Sequence, residues 1–347
     1  MWGGLMDFLK KIKARYYIIF SLLILSLILI FGFCIGFGSV KIKLNEVFNI
    51  LFNHAATDST FYDIVWDIRF PRALAALISG AALAVSGLLL QIFFKNPIVE
   101  PYVLGVSSGA TLCVGLVMLG GVKFGFESIS PFLLFTAALV GSLLVMLVVV
   151  LFAGRVKSII TLLVIGLMVG YLCSSVTSIL TAFADKERLQ GFTLWRMGSF
   201  SGFTWKSIKV LMAMGIPTII CSFFIVKPLN AFLLGEEYAK SMGVKIKAFR
   251  ITIVVISSIL ASVVTAFAGP VAFIGLAVPH ITRLIFGTSD NKVLIPGTIL
   301  LGGAVTCICD LIARTIFAPV ELPISSVTSI IGAPIVIFLI LKRRTSL

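Results

Sequence analysis

From Tyr16 to Phe33 the chain runs 18 residues without a charged side chain. Nine further apolar segments follow, and breaking the sequence wherever Pro, Gly and charges cluster sets the limits of all ten at 16–37, 68–94, 101–121, 131–153, 159–183, 208–226, 249–268, 271–287, 294–318 and 326–341. About 20 apolar residues in a helix cross the hydrocarbon core of a bilayer, so these segments predict an all-α, polytopic membrane protein with ten transmembrane helices. Composition closes off the soluble alternative. Charged residues make up 12% of the chain against about 25% in an ordinary soluble domain, which leaves too little polar surface to coat a globule. The connections are too short to fold independently, so residues 1–347 read as a single transmembrane domain.

Charge placement predicts the orientation. Lys10, Lys11, Lys13 and Arg15 precede the first apolar segment, which is too long for a signal h-region and lacks an A-x-A cleavage pattern; it reads as a first span entering from the cytoplasm. Ten spans put both termini on one side. Counted on that basis, the inner connections and termini hold seventeen Lys/Arg against five Asp/Glu, and the outer ones eleven against eight, with Asp310 left inside the membrane. The net charge of +14 is thus a topology signal with both termini cytoplasmic. It forms no basic stripe on a soluble module, so nucleic acid is not an expected partner.

Two polar stretches are long enough for structure of their own. Ala184 to Lys206 carries Trp195 and Trp205 and suits a segment at the headgroup level. Lys227 to Arg250 reads as two short cytoplasmic helices broken at Gly235, the second with Glu236 and Glu237 at its positive end, Lys240 near its negative end and Gly243 as a stop. An ordered element facing water implies a partner. Within the membrane, Gly275 and Pro279 are expected to interrupt the helix of Gly269 to Gly287, and broken backbone at that depth is tolerated only inside protein or along a cavity. The small residues Ala76, Gly80, Ala84 and Gly87, and the pair Gly166 and Gly170, mark close helix packing.

Catalytic chemistry finds no foothold. The two histidines, His54 and His280, lie on opposite sides, and no H-E-x-x-H, G-x-S-x-G, Walker A or C-x-x-C pattern occurs. The six cysteines all fall in apolar stretches. The chain is therefore read as a non-enzyme that binds no metal or cofactor of its own. Carriage driven by an ion gradient would need embedded titratable groups; the only clear one, Asp310, stands four residues before Arg314, in position for an i,i+4 pair. Gln91 is placed to hydrogen-bond a neighbouring helix, and His280 with Arg283 to anchor an inner helix end.

In order along the chain come Arg69-Phe-Pro-Arg72, Gly80-Ala-Ala-Leu-Ala-Val-Ser-Gly87 with Gln91, Asn96-Pro97, Glu100-Pro101, Leu104-Gly105 and Ser107-Ser-Gly-Ala110. Later come Trp195 with Gly198-Ser199, Leu234-Gly-Glu236 through Gly243, Phe273-Ile-Gly-Leu276, Pro279-His280 with Arg283, Asp310 with Arg314, Glu321-Leu-Pro323 and Gly332-Ala-Pro334. This series, from about Asp67 to Lys342, resembles the FecCD-type permeases of ABC importers for ferric siderophores, haem and vitamin B12.

The resemblance implies a ten-helix permease in a bacterial cytoplasmic (inner) membrane that moves an iron chelate inward by alternating access. Cobalamin or another metal species is the alternative cargo, and an ion-coupled secondary carrier the remote one. It implies a second permease copy, identical or related, an extracytoplasmic substrate-binding protein, and a cytoplasmic ABC ATPase dimer that holds ATP and Mg. In such importers the segment at 227–250 docks on the ATPase, which assigns coupling to Asn230, Gly235, Glu236, Glu237, Ala239 and Gly243. Arg69, Arg72 and Arg314 resemble outward arginines that pair with acids on the binding protein. A cytoplasmic gate is expected at Ser158, Ile159, Ile160 and Thr161.

Overall fold

The computed structural model describes residues 2–38, 40–53, 59–120, 130–156 and 158–344, and contains no β-strand among them. The chain opens with α1 (Trp2–Gly36), α2 (Leu44–Asn53) and α3 (Ser59–Asp63), then a π-helical turn (Ile64–Arg69) that leads into α4 (Phe70–Phe93). A 3-10 turn (Pro101–Leu104) precedes α5 (Val106–Gly120), followed by α6 (Pro131–Ala153), α7 (Ile159–Ala182), α8 (Lys186–Met197) and α9 (Trp205–Phe224). The remaining helices are α10 (Val226–Leu233), α11 (Glu236–Ser241), α12 (Ile246–Ala268), α13 (Ile274–Phe286), α14 (Asn291–Thr315) and α15 (Ile324–Arg344).

Ten of these helices coincide with the ten apolar segments. Seven stretches are long and apolar enough to cross a membrane unaided: Lys13–Gly36, Thr60–Phe93, α6, α7, α9, α12 and α14. Of the other three, α5 and α13 are the short ones. The 15 residues of α5 and 13 of α13 rise only about 22 and 20 Å, and non-helical backbone lengthens each path: the 3-10 turn before α5, and residues 269–273 before α13.

Burial sorts the helices into a centre and a ring. The window in Thr60–Phe93 is 89% buried and that in α12 72%, against 11% in α1 and 22% in α7. Outer faces carry large apolar side chains such as Ile18, Leu22, Leu144 and Leu172, which lipid tails solvate as readily as other side chains do. Association in that solvent rests on close van der Waals contact, and small residues provide it. A Cβ on Gly87 would lie 1.9 Å from the Gly275 carbonyl oxygen, and one on Gly80 2.3 Å from that of Gly302. These contacts pull α13 and α14 onto α4.

The break before α13 lies earlier than the sequence predicts. Gly269 (φ 72°) ends α12, and Phe273 (φ 67°) opens α13, while Gly275 and Pro279 are both helical. Pro279 has no N–H to give the carbonyl of Gly275 four residues back. That carbonyl is satisfied from outside the helix, by Gln91 Nε2 of α4 at 3.2 Å, which also reaches Leu276 O at 3.1 Å. The proline therefore stays inside a helix whose lost bond is replaced.

Candidate functional site

One end of the bundle is closed by α10 and α11. Val226, Leu229 and Phe232 bury the inner face of α10, with the Phe232 ring 5.1 Å from Phe249 and 6.3 Å from Phe93. The positively charged Lys95 Nζ stands 5.3 Å over the same ring. Gly235 separates the two helices at φ 128°, ψ 152°, a region essentially restricted to glycine. No atom lies within 4 Å of where its Cβ would be, so the glycine is needed for its backbone angles and not for space. Gly243 (φ 85°) ends the pair, as the sequence predicts.

The candidate coupling residues divide into two groups. Asn230, Glu236 and Ala239 face the bundle. Asn230 Nδ2 donates to Asp290 Oδ1 (2.6 Å), and Asn230 Oδ1 accepts from Asn291 N (2.9 Å) and Asn291 Nδ2 (2.7 Å), tying α10 to the start of α14. Glu236 Oε1 pairs with Arg250 Nη2 at 2.7 Å, and Arg250 Nη1 donates to Val156 O at 2.9 Å. This chain of contacts joins α11 to α12 and to the connection between α6 and α7. Ala239 is buried, whereas Glu237 is exposed. Also exposed are Leu234, Tyr238 and Met242, which sequence reasoning missed although their four-residue spacing was visible. The result is an apolar rim on a rigidly fastened pair of short helices.

The same end carries the start of α7. Ser158 caps it, its Oγ accepting from Thr161 N at 3.3 Å, and Ile160 is 73% exposed. Ser158 and Thr161 are exposed and Ile159 is partly so; neighbouring Lys157 lies outside the described residues, as does His54. Arg15 Nη2 donates to Ile285 O at 3.3 Å, so the basic amino-terminal stretch reaches this end too. Arg283 Nη1 donates to Gln91 Oε1 at 2.8 Å, which draws Arg283 into the helix contact that Gln91 makes.

The opposite end contains the three arginines, and there the structure corrects the sequence reading. Arg69, Arg72 and Arg314 are buried, not outward-facing. Arg69 donates to the carbonyls of Ile35 (3.1 Å), Gly36 (2.9 Å) and Val40, satisfying acceptors left open at the end of α1. Arg72 clamps Asp310 through Nε (3.0 Å) and Nη2 (2.9 Å) and reaches Glu321 Oε1 from Nη1 at 2.6 Å. The expected pair of Asp310 with Arg314 is present but longer, at 3.7 Å, and Arg314 Nη2 donates to Cys34 O at 2.5 Å. A buried charge is costly unless paired, and these cations use their donors on the chain itself. The sequence offered no sign of the Arg72–Asp310 contact, which spans 238 positions.

Between these ends, the connection from α4 to α5 carries Glu100, whose Oε2 accepts from Phe273 N at 3.4 Å. Burial pushes this carboxyl up from its ordinary range, and the Phe273 N–H partly opposes that. Among the described residues no group of three His, Cys, Asp or Glu is placed to hold a metal ion.

A helical bundle with ten apolar segments, tight glycine crossings and an ordered helix pair at one end defines a multi-pass helical membrane protein. The chain belongs to the FecCD transport family, whose model matches residues 23–342. It is 34% identical over 329 residues to the hemin transport system permease protein HmuU of Yersinia pestis, covering 93% of this chain and 96% of that protein. It is 38% identical over 280 residues to the vitamin B12 import system permease protein BtuC of Escherichia coli, covering 81% and 84%. A solved metal-chelate type ABC transporter in an inward-facing conformation superimposes with a TM-score of 0.83 at 30% identity, covering 94% of this chain and 99% of that one. ABC permeases work with an ATPase and a binding protein, and this family membership places the chain in such an assembly.

Proposed function

We propose that this chain carries an iron chelate, haem or a ferric siderophore, across the cytoplasmic membrane, with both termini and α10–α11 on the cytoplasmic side. Residues 1–347 act as one permease domain, and the segment 227–250 is its coupling element. ATP and Mg bind on a separate ATPase chain, and a second permease copy, identical to this one, completes the path. The observation that carries this reading is the anchored helix pair. Leu234, Tyr238 and Met242 present an apolar rim that fits a groove on a partner, while Asn230 and Glu236 connect any movement of that rim to α14 and α12. Gly235, Ala239 and Gly243 set the shape, and Glu237 is the exposed acid.

At the other end, Arg69, Arg72 and Arg314 would shape the rim on which the binding protein docks, acting through α1 and α14 and not by direct pairing. The gate at Ser158, Ile159, Ile160 and Thr161 would use Ile160 as its apolar constriction. The clamp on Asp310 argues against ion-coupled carriage, since a carboxylate held by two guanidinium nitrogens is a poor proton relay. The haem permease relative, aligned over nearly the whole chain, supports iron chelate as cargo; the vitamin B12 permease relative favours cobalamin as the second reading.

The test is uptake of radio-iron, as haem or siderophore, and of labelled cobalamin in metal-limited cells with and without the gene. Loss of iron uptake alone is expected, and loss of cobalamin uptake alone would transfer the assignment. In vesicles holding the full transporter, Gly235→Val should leave ATP hydrolysis measurable but disconnect it from import. Normal coupling in that variant would refute the role given to α10–α11.

A further inference from the structure

A recess of about 300 Å³ lies between α5, α7, α8 and the start of the 269–273 stretch. Seven of its nine lining residues carry a hydroxyl, Pro270 and Arg196 being the others. It begins near the middle of α7, where Ser108 packs by Gly170, and extends to Thr181 at the end of that helix away from α10–α11. In a chain that is 59% hydrophobic, such a concentration of hydroxyls calls for something polar to occupy it. Several already donate to their own helix: Thr111 to Ser107 O (2.8 Å), Ser178 to Ser174 O (3.0 Å) and Thr181 to Ser178 O (2.8 Å). A hydroxyl has one donor, so these three are not the groups that grip an anion. Ser107 and Ser174 make no side-chain hydrogen bond among the described residues and keep their donors available.

Arg196 is the only charged residue of the recess. It makes no ion pair among the described residues, and its guanidinium rests 5.7 Å from the Phe192 ring. The buried arginines of this chain, Arg69, Arg72, Arg250 and Arg314, are bound to carboxylates or carbonyls, whereas Arg196 is exposed at the mouth of the recess. Arg196 is thus a cation with five unspent donors beside a hydroxyl-lined recess, accessible to an anion that enters it.

We propose that this recess is a recognition station for the anionic, oxygen-rich edge of the cargo, with Arg196 binding a carboxylate or phenolate oxygen and Ser107 and Ser174 donating alongside. The proposal rests on the iron-chelate reading and narrows it to chelates that carry negative charge over neutral ones. Bidentate pairing of a guanidinium with carboxylate is geometrically specific as well as strong.

The test uses the complete transporter in proteoliposomes and two matched probe pairs. Haem is compared with its dimethyl ester, which lacks only the two carboxylates, and a ferric tricatecholate with a neutral ferric trihydroxamate. Wild type should favour the charged member of each pair. Arg196→Gln should lower uptake of the charged member about tenfold and that of the neutral one less than twofold; Arg196→Lys should retain most of the preference and Arg196→Glu should reverse it. Ser174→Ala, which leaves the charge in place, should weaken the preference by a smaller factor and guards against misfolding of the arginine variants. Lys186→Gln, exposed on the same helix but outside the recess, serves as the control. Equal loss of both members, or no change in Arg196→Gln, would overturn the station while leaving the importer reading intact. Wild-type vesicles that carry no member of either pair would overturn both.

Discussion

The buried clamp on Asp310 has two partners of unequal weight. Asp310 is 1% exposed and lies against Arg72 at 2.9 Å and Arg314 at 3.7 Å, both guanidiniums buried. Removing one partner of a buried pair leaves an uncompensated charge and costs about 3–5 kcal/mol. Glu321, the other partner of Arg72, sits closer at 2.6 Å, but its side chain is 41% exposed; water screens that pair and leaves it about 0–1 kcal/mol. Distance alone would rank Glu321 first, whereas desolvation reverses the order. At about 2 °C per kcal/mol, the low end for chains somewhat smaller than this one, Asp310→Ala should lower the apparent unfolding midpoint by roughly 6–10 °C. Glu321→Ala should move it by less than about 2 °C. Asp310→Asn retains an acceptor for Arg72 without the charge and should fall between. The assay is the fraction of monodisperse protein after a heating series in mild detergent, read by size-exclusion chromatography. An Asp310→Ala midpoint within 2 °C of wild type, or an equal loss in Glu321→Ala, would refute this account of the clamp.

Two further outcomes follow from other parts of the fold. Gly87→Leu places a Cβ 1.9 Å from the backbone oxygen of Gly275, where no side chain can yield; the variant should fail to accumulate as folded protein, seen as loss of the monodisperse peak, while Gly202→Leu, with open space around it, should be tolerated. Burial holds the Glu100 carboxyl above its usual range, so the folded chain favours the protonated acid and wild-type stability falls as pH rises through that raised value. Glu100→Gln should therefore be at least as stable as wild type at neutral pH, and the difference should shrink on acidification toward pH 4.5; a variant that loses stability only at neutral pH would show that the carboxylate is the favoured form.

The helices of this protein are local events. Ten apolar segments, the turn at Gly235 and the stop at Gly243 were legible because each depends on neighbours within a few residues: an apolar run needs only its length, and a glycine at φ 128° or 85° needs only its missing Cβ. Motif order was enough to place the chain in its family and to locate the candidate coupling segment. Orientation of side chains was another matter. A reading of Arg69 and Arg72 as outward cations followed reasonably from their place at the start of a span. Only the folded bundle brings the carbonyls of Ile35 and Gly36 and the carboxylate of Asp310 to meet them.

The same division explains α13. Pro279 within an apolar stretch announces a broken helix when read along the chain, since the lost hydrogen bond has no local replacement. Gln91, far away in sequence, supplies one across the contact between Gly87 and Gly275. What the sequence by itself determined was which segments leave water and become helices, because that decision is made against solvent and depends on composition over about 20 residues. What only the tertiary structure decided was which polar groups are already satisfied and which, like Arg196, still have donors to offer. Pairing between distant positions is created by packing, and no local pattern encodes it.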